Sequence, residues 1–256
     1  MASKMLFRAN EILESTHVPF WGKDAFQYFQ SDILSEENPF PCILGVEGFK
    51  KDLLRFSFVT TPYNYQDIRN AASALREYID TFKTIGRYTS FVLFFKPEHK
   101  ERSMEEYETM FWDTLTFLHQ IDQKKWPQDI PKDPKDPLWE FCFHGEPIFV
   151  VCNTPAHSLR KSRKSRGFMI TFQPRWVFEG MTGDSKIGRH VQKVVRDRLK
   201  TYDDVSAHPE LGWYGQQESR EWKQYFLHDD NNYTTTGQCP FKLKRSEQHG
   251  RKKSLY

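Results

Sequence analysis

Several familiar nucleotide and metal signatures are missing from this 256-residue chain. It carries no Gly-x-x-x-x-Gly-Lys-Ser/Thr loop and no Gly-x-Gly-x-x-Gly run after a strand, so the common backbone cradles for nucleotide phosphates are excluded. His-Glu-x-x-His and Gly-x-Ser-x-Gly are absent as well, which removes the zinc-hydrolase helix and the serine nucleophile elbow. Its four cysteines, Cys42, Cys142, Cys152 and Cys239, include no Cys-x-x-Cys pair, so neither a zinc ribbon nor a thioredoxin-type redox motif is supported. No apolar run approaches the roughly 20 residues needed to span a bilayer. The first residues, "MASKMLFRANEILES", lack the apolar core of a secretory signal. A soluble, cytoplasmic protein with reduced thiols and no membrane partner is expected.

Charge of one sign is also scarce. The formal net charge is only +3, and much of it lies in the terminal stretch "FKLKRSEQHGRKKSLY". The body is therefore close to neutral, which disfavours a nucleic-acid partner. The basic residues that remain are not interleaved with aromatics as a stacking platform requires.

Aromatic residues are abundant: 22 Phe, 11 Tyr and 7 Trp argue for a large packed core. Apolar spacing predicts helices over 3–14, 24–34, 64–85, 103–122 and 186–203, and a last one over 218–227. The fourth opens on a Ser-x-x-Glu capping pattern at Ser103 and Glu106. Strands are expected at 89–96 and 167–174, with hairpins from "CILGVEGF" into "LLRFSFVT" and across 139–152. The segment 126–139, rich in proline and aspartate, reads as an irregular surface loop. The expected fold is α+β, a mainly antiparallel sheet with helices packed around it in a single domain over 1–241, followed by a flexible basic tail over 242–256.

One stretch stands out. "NTPAHSLRKSRKSRGFMITFQPRW" places His157 after a Thr-Pro break and directly before Arg160, Lys161, Arg163, Lys164 and Arg166. Because strand-like runs flank this cluster, its side chains can be aimed at one fixed place. Arginines there can fork onto carboxylates, and Ser162 and Ser165 add hydroxyl donors. A solvated basic turn is the plain reading. The sharper one is a haem site, with an imidazole for iron and cations for two propionates. Cys42 in "NPFPCILG" competes as a thiolate ligand, although a small buried cysteine is the ordinary reading of such a position.

Taken in order, "NPFPCILGVEGF", "LRFSF", "FVLFF", "FWDTLTFLHQID", "WPQDIPKDPKDPLWEFCFHGEPIFVV", "PAHSLRKSR", "FQPRWVF" and "EWKQYFL…CPF" resemble the YqcI/YcgG family, which includes GntA-like haem-dependent amine N-oxygenases. The resemblance runs from about residue 20 to residue 241. It implies haem b held by a site including His157, Arg160, Ser162, Arg163 and Arg166, with His157 as the iron ligand and Cys42 or His144 as alternatives. It further implies an enzyme that hydroxylates an amine or guanidine of a small amino-acid-like substrate, up to a nitro group in some members. Such an enzyme uses O₂ or peroxide, with electrons from a separate reductase or ferredoxin. A non-enzymatic haem-binding or haem-sensing protein is the alternative.

Overall fold

Six strands form one mixed sheet in the order β1-β2-β3-β6-β5-β4 in a computed structural model that describes residues 4–232 and 237–244. The strands are β1 (Phe7–Arg8), β2 (Arg55–Val59), β3 (Phe91–Phe95), β4 (Phe141–Phe143), β5 (Glu146–Asn153) and β6 (Met169–Pro174). The helices are α1 (Ala9–Ile12), α2 (Phe20–Ile33), α3 (Ile43–Lys50), α4 (Tyr65–Ile85), α5 (Met104–Ile121) and α6 (Lys186–Tyr202). The α+β class agrees with the expectation, but the sheet is mixed rather than mainly antiparallel. The reason is the 21-residue α4, which carries the chain from β2 back to β3 and pairs them parallel, Phe56 opposite Val92.

Strand alternation sorts the core into two layers. Phe91, Leu93, Phe95, Ile148, Val150, Cys152, Ile170 and Phe172 point to one face and pack under α4 and α5. There Phe111, Leu115, Tyr78 and Trp139 are fully or almost fully buried. Each such side chain contributes about 1.5–3 kcal/mol relative to exposure, so this layer holds the fold together. Val92, Phe94 and Met169 point the other way, toward α2.

The caps of the long helices follow the sequence. The Asn64 side chain accepts from Gln66 N and Asp67 N at the start of α4, and Gly86 (φ +139°) ends it in a conformation that favours glycine. Ser103 and Glu106 form the expected capping box on α5. The β4–β5 hairpin turns on His144 (φ +52°) and Gly145 (φ +77°), a two-residue loop with both residues left-handed.

Three expected elements differ. Residues 43–50 form α3 rather than a hairpin strand, because the Cys42 side chain caps the helix by accepting from Gly45 N at 3.4 Å. Gly48 is needed there for packing, not for a turn: a Cβ on it would sit 2.0 Å from the Tyr88 carbonyl oxygen. At the N-terminus, Phe7 and Arg8 add a short strand antiparallel to β2, which leaves α1 with four residues. The last expected helix is a single 3-10 turn, Glu221–Gln224. Arg175 fastens that turn to the sheet, bridging the buried carboxylates of Glu140 and Glu221. Of the predicted tail, residues 242–244 lie against α5, with Lys242 N donating to Thr116 Oγ1 at 3.4 Å. Residues 245–256 lie outside the described residues. No described helix is long and apolar enough to cross a membrane.

Candidate functional site

The second face of the sheet encloses a cavity of about 270 Å³. Its floor is the alternate set of strand residues: Ser90, Val92 and Phe94 from β3 and its approach, Phe149, Val151 and Asn153 from β5, and Met169, Thr171 and Gln173 from β6. Gln173 Nε2 donates to Ser90 Oγ at 3.0 Å across that floor. One wall is α2, which presents Ala25, Tyr28, Phe29, Asp32 and Ile33, a stripe at three- and four-residue spacing. Val195 and Leu199 of α6 form another wall, and Phe40, Pro41 and Cys42 a third. The basic loop closes the space with Arg160 and 162–167. The volume lies just below the range of roughly 300–1,000 Å³ typical of small-molecule sites.

The basic loop leaves β5 and is pinched at its base, where Thr154 N donates to Arg163 O (3.0 Å) and Ser165 N to Thr154 O (3.2 Å). Its first part is fully occupied in holding itself. Asp229 accepts from Ser158 N, Ser158 Oγ, Leu159 N and Arg160 N at 2.7–2.9 Å. Burial acts to raise the Asp229 carboxyl, but these bonds outweigh it and hold it below its ordinary range. Arg160, 1% exposed, donates from Nε to His228 O (2.9 Å) and from Nη2 to Asn231 Oδ1 (2.6 Å). Asp203 accepts from Ser162 N at 2.7 Å and Ser162 Oγ at 2.9 Å. Arg163 is buried and donates to Tyr225 O (3.3 Å) and Gln224 O (3.1 Å), and burial lowers its guanidinium to about 10.

His157 is 1% exposed and does not line the cavity. Its Nε2 lies 2.8 Å from Leu227 O, a carbonyl that can only accept, so this nitrogen carries the proton. Its Nδ1 then accepts from Thr154 Oγ1 at 2.9 Å. Both ring nitrogens are thus engaged, and burial pushes the imidazole down to about 4, keeping it neutral. His144 lies elsewhere again, on the hairpin turn against α4, with Nε2 3.1 Å from Asp80 Oδ1.

Lys164 and Arg166 behave differently. Both are exposed, both line the cavity, and neither side chain has a hydrogen-bond or ion-pair partner among the described residues. Ser165, between them, is buried and donates to Gly167 O at 2.6 Å.

Of the three proposed iron ligands, Cys42 is the one at the cavity wall. α3 positions it, and the close packing of Gly48 on Tyr88 fixes α3. Burial pushes the Cys42 thiol up, opposed by the N–H groups of Gly45 and Leu44 and by the charge of Arg163. A bound metal ion would overcome the remaining cost and deprotonate it. Cys142 and Cys152 are sealed in the α4/α5 layer. Among the described residues no three His, Cys, Asp or Glu side chains converge on a bare metal ion, whereas a haem iron needs as little as one protein ligand. The residue types at the cavity are those a haem site uses: one thiol, cations from the loop, and apolar walls.

Asp32 was not anticipated from the sequence. Its one signal was its place on the stripe of α2 where an apolar residue belongs.

The model of the YqcI/YcgG family matches residues 29–242. YqcI of Bacillus subtilis (strain 168) is 45% identical over 240 residues, 90% of this chain and 94% of the relative. YcgG of the same strain is 43% identical over 227 residues, 88% of this chain and 89% of the relative. A protein of Streptomyces lavendulae named "Putative N(omega)-hydroxy-L-arginine synthase DcsA" is 33% identical over 230 residues, 88% of this chain and 85% of its own length. No solved structure matches the chain. By both the family model and these full-length similarities, the chain belongs to the YqcI/YcgG family.

Proposed function

We propose that the protein is a haem-dependent N-oxygenase that hydroxylates an amine or guanidine nitrogen of a small amino-acid-like substrate in the cavity between the sheet, α2, α3 and α6. The observation that carries this reading is the meeting of the Cys42 thiol and the cationic residues Arg163, Lys164 and Arg166 at one largely apolar cavity. The reaction class is supported by the name of the Streptomyces relative.

Haem bound there would supply oxygen activation: the nitrogen lone pair gains one oxygen atom, the other leaves as water, and two electrons and two protons come from an external reductase or ferredoxin. With peroxide as oxidant no added electrons are needed. Cys42 is favoured over His157 as the iron ligand because Cys42 lines the cavity and His157 does not, and both nitrogens of His157 are already bonded. The N–H groups of Gly45 and Leu44 and the guanidinium of Arg163 would stabilise a thiolate at that sulfur. Lys164 and Arg166, without partners among the described residues, would receive carboxylates of the haem or of the substrate. The aromatic and aliphatic walls, Phe29, Phe94, Phe149 and Val151, would exclude water and hold the substrate in one orientation.

The test is incubation of the haem-loaded protein with L-arginine, a reductase system and O₂, or with peroxide, followed by mass spectrometry. Gain of one oxygen atom on a guanidine nitrogen is expected. A protein that binds haem stoichiometrically yet oxidises neither arginine nor other basic amino acids would instead be a haem sensor.

A further inference from the structure

The cavity contains an acid that the proposed chemistry has not yet used. Asp32 is the second-last residue of α2, on the stripe that lines the cavity, among Ala25, Tyr28, Phe29 and Ile33. One carboxylate oxygen, Oδ1, accepts from Tyr202 Oη at 2.6 Å. Tyr202 is the last residue of α6, and Phe40 packs edge-on against its ring at 5.6 Å, so its hydroxyl is held in place. The other oxygen has no partner among the described residues.

A half-buried carboxylate is costly unless a cation answers it. Burial is the larger influence and raises the Asp32 carboxyl above its ordinary value, while the Tyr202 hydroxyl opposes it. The cavity's cations all come from the loop, over residues 160–166. The cavity therefore carries positive charge on its loop side and one unanswered negative charge on its α2 side. That distribution is complementary to an amino acid with a second basic group: carboxylate to the loop, cationic end to α2.

We infer that Asp32, oriented by Tyr202, is the subsite for the cationic end of the substrate, and that it makes the cavity selective for amino acids bearing a guanidinium or a second ammonium. This rests on the reading of the cavity as the substrate site. Phe29 and Phe40, on either side of the acid in sequence, line the same space and offer apolar surface to the planar faces of such a group.

L-Arginine and L-citrulline are nearly the same shape and differ in charge at the far end, which makes them suitable probes. Calorimetry on the full-length protein should give arginine an advantage of about 10-fold or more, as expected for a hydrogen bond to a charged group. Asp32→Asn keeps an oxygen for Tyr202 and should bring the two ligands within about 3-fold, while Asp32→Glu retains part of the preference. Without ligand, Asp32→Asn should melt no lower than wild type, since it removes a desolvated charge, yet it should lose the arginine-induced rise in Tm. Equal binding of the two probes by wild type, an undiminished preference in Asp32→Asn, or binding of neither probe overturns the inference. A protein that discriminates charge through Asp32 yet forms no oxygenated product keeps the inference and loses the N-oxygenase reading. One that hydroxylates arginine with undiminished preference in Asp32→Asn does the reverse.

Discussion

Residues 157–163 and residues 164–166 carry the same kinds of side chain on consecutive stretches of one loop, but their contacts divide them. In the first stretch Arg160 meets three acceptors, Ser162 binds Asp203 through both backbone and side chain, and His157 uses both ring nitrogens. In the second, Lys164 and Arg166 reach the cavity with no partner among the described residues. Basic composition alone does not separate the two. What separates them is whether acceptors are already in place: Asp203, Asp229 and the carbonyls of 224–228 converge on the first stretch and none reaches the second. The first stretch is a clamp that ties β5 to the segments after α6, and the second lines the cavity with its side chains unpartnered among the described residues.

Replacing His157 tests the clamp and should have the larger effect. Glutamine can satisfy only one of the two partners of the imidazole, so His157→Gln should cost about 2–3 kcal/mol of unfolding free energy by denaturant titration. The same variant tests a pH effect. The His157 imidazole is held down at about 4 in the fold against 6.5 when unfolded, so the unfolded chain binds more protons between those values. The stability from keeping it neutral is complete above pH 6.5 and is lost as the pH falls toward 4, about 3 kcal/mol in total. His208 is also lowered to about 4, chiefly by burial, so acid sensitivity will persist in His157→Gln. The difference between wild type and variant should still shrink steadily across that window. A constant difference would mean that His157 titrates normally and the clamp is misread.

Arg166→Gln tests the second stretch and should have the smaller effect. Stability should stay within about 0.5 kcal/mol, because no contact is lost. Affinity for a carboxylate-bearing ligand such as L-arginine should fall about 5- to 20-fold by calorimetry. If Arg166→Gln destabilised the fold as much as His157→Gln, the division of the loop would fail.

Much of the fold was legible because its signals are local. Asn64 and Ser103 cap α4 and α5 within one turn, Gly86 ends α4, and the unbroken apolar run of β3 is buried on both faces. The failures came where a distant contact decides. "CILGVEGF" carries two glycines and suggests a turn, yet Gly48 serves the close approach to Tyr88, 40 residues away in the chain. The parallel pairing of β2 with β3 depends on α4 carrying the chain back across the sheet, a placement that local apolar spacing does not show. At the site, the loop was visible as a cluster of cations beside a histidine. Its division was not, because the acids that bind it stand about 40 to 70 residues further on. Cys42 was visible as a candidate, but its place at the cavity wall depends on α3, which the sequence did not reveal.

The proposal that this cavity binds haem through Cys42 can be tested by one absorption experiment. Wild type, Cys42→Ser and His157→Gln would each be expressed with a haem precursor and recorded oxidised, reduced and reduced with carbon monoxide. Serine is a good helix cap, so Cys42→Ser should remain folded. We expect a stoichiometric Soret band in wild type, with the red-shifted carbon-monoxide form characteristic of thiolate ligation. That form should be lost in Cys42→Ser and kept in His157→Gln. A colourless wild-type protein that takes up no added haem, or a band that ignores Cys42 and disappears with His157, would rule out haem ligation by Cys42.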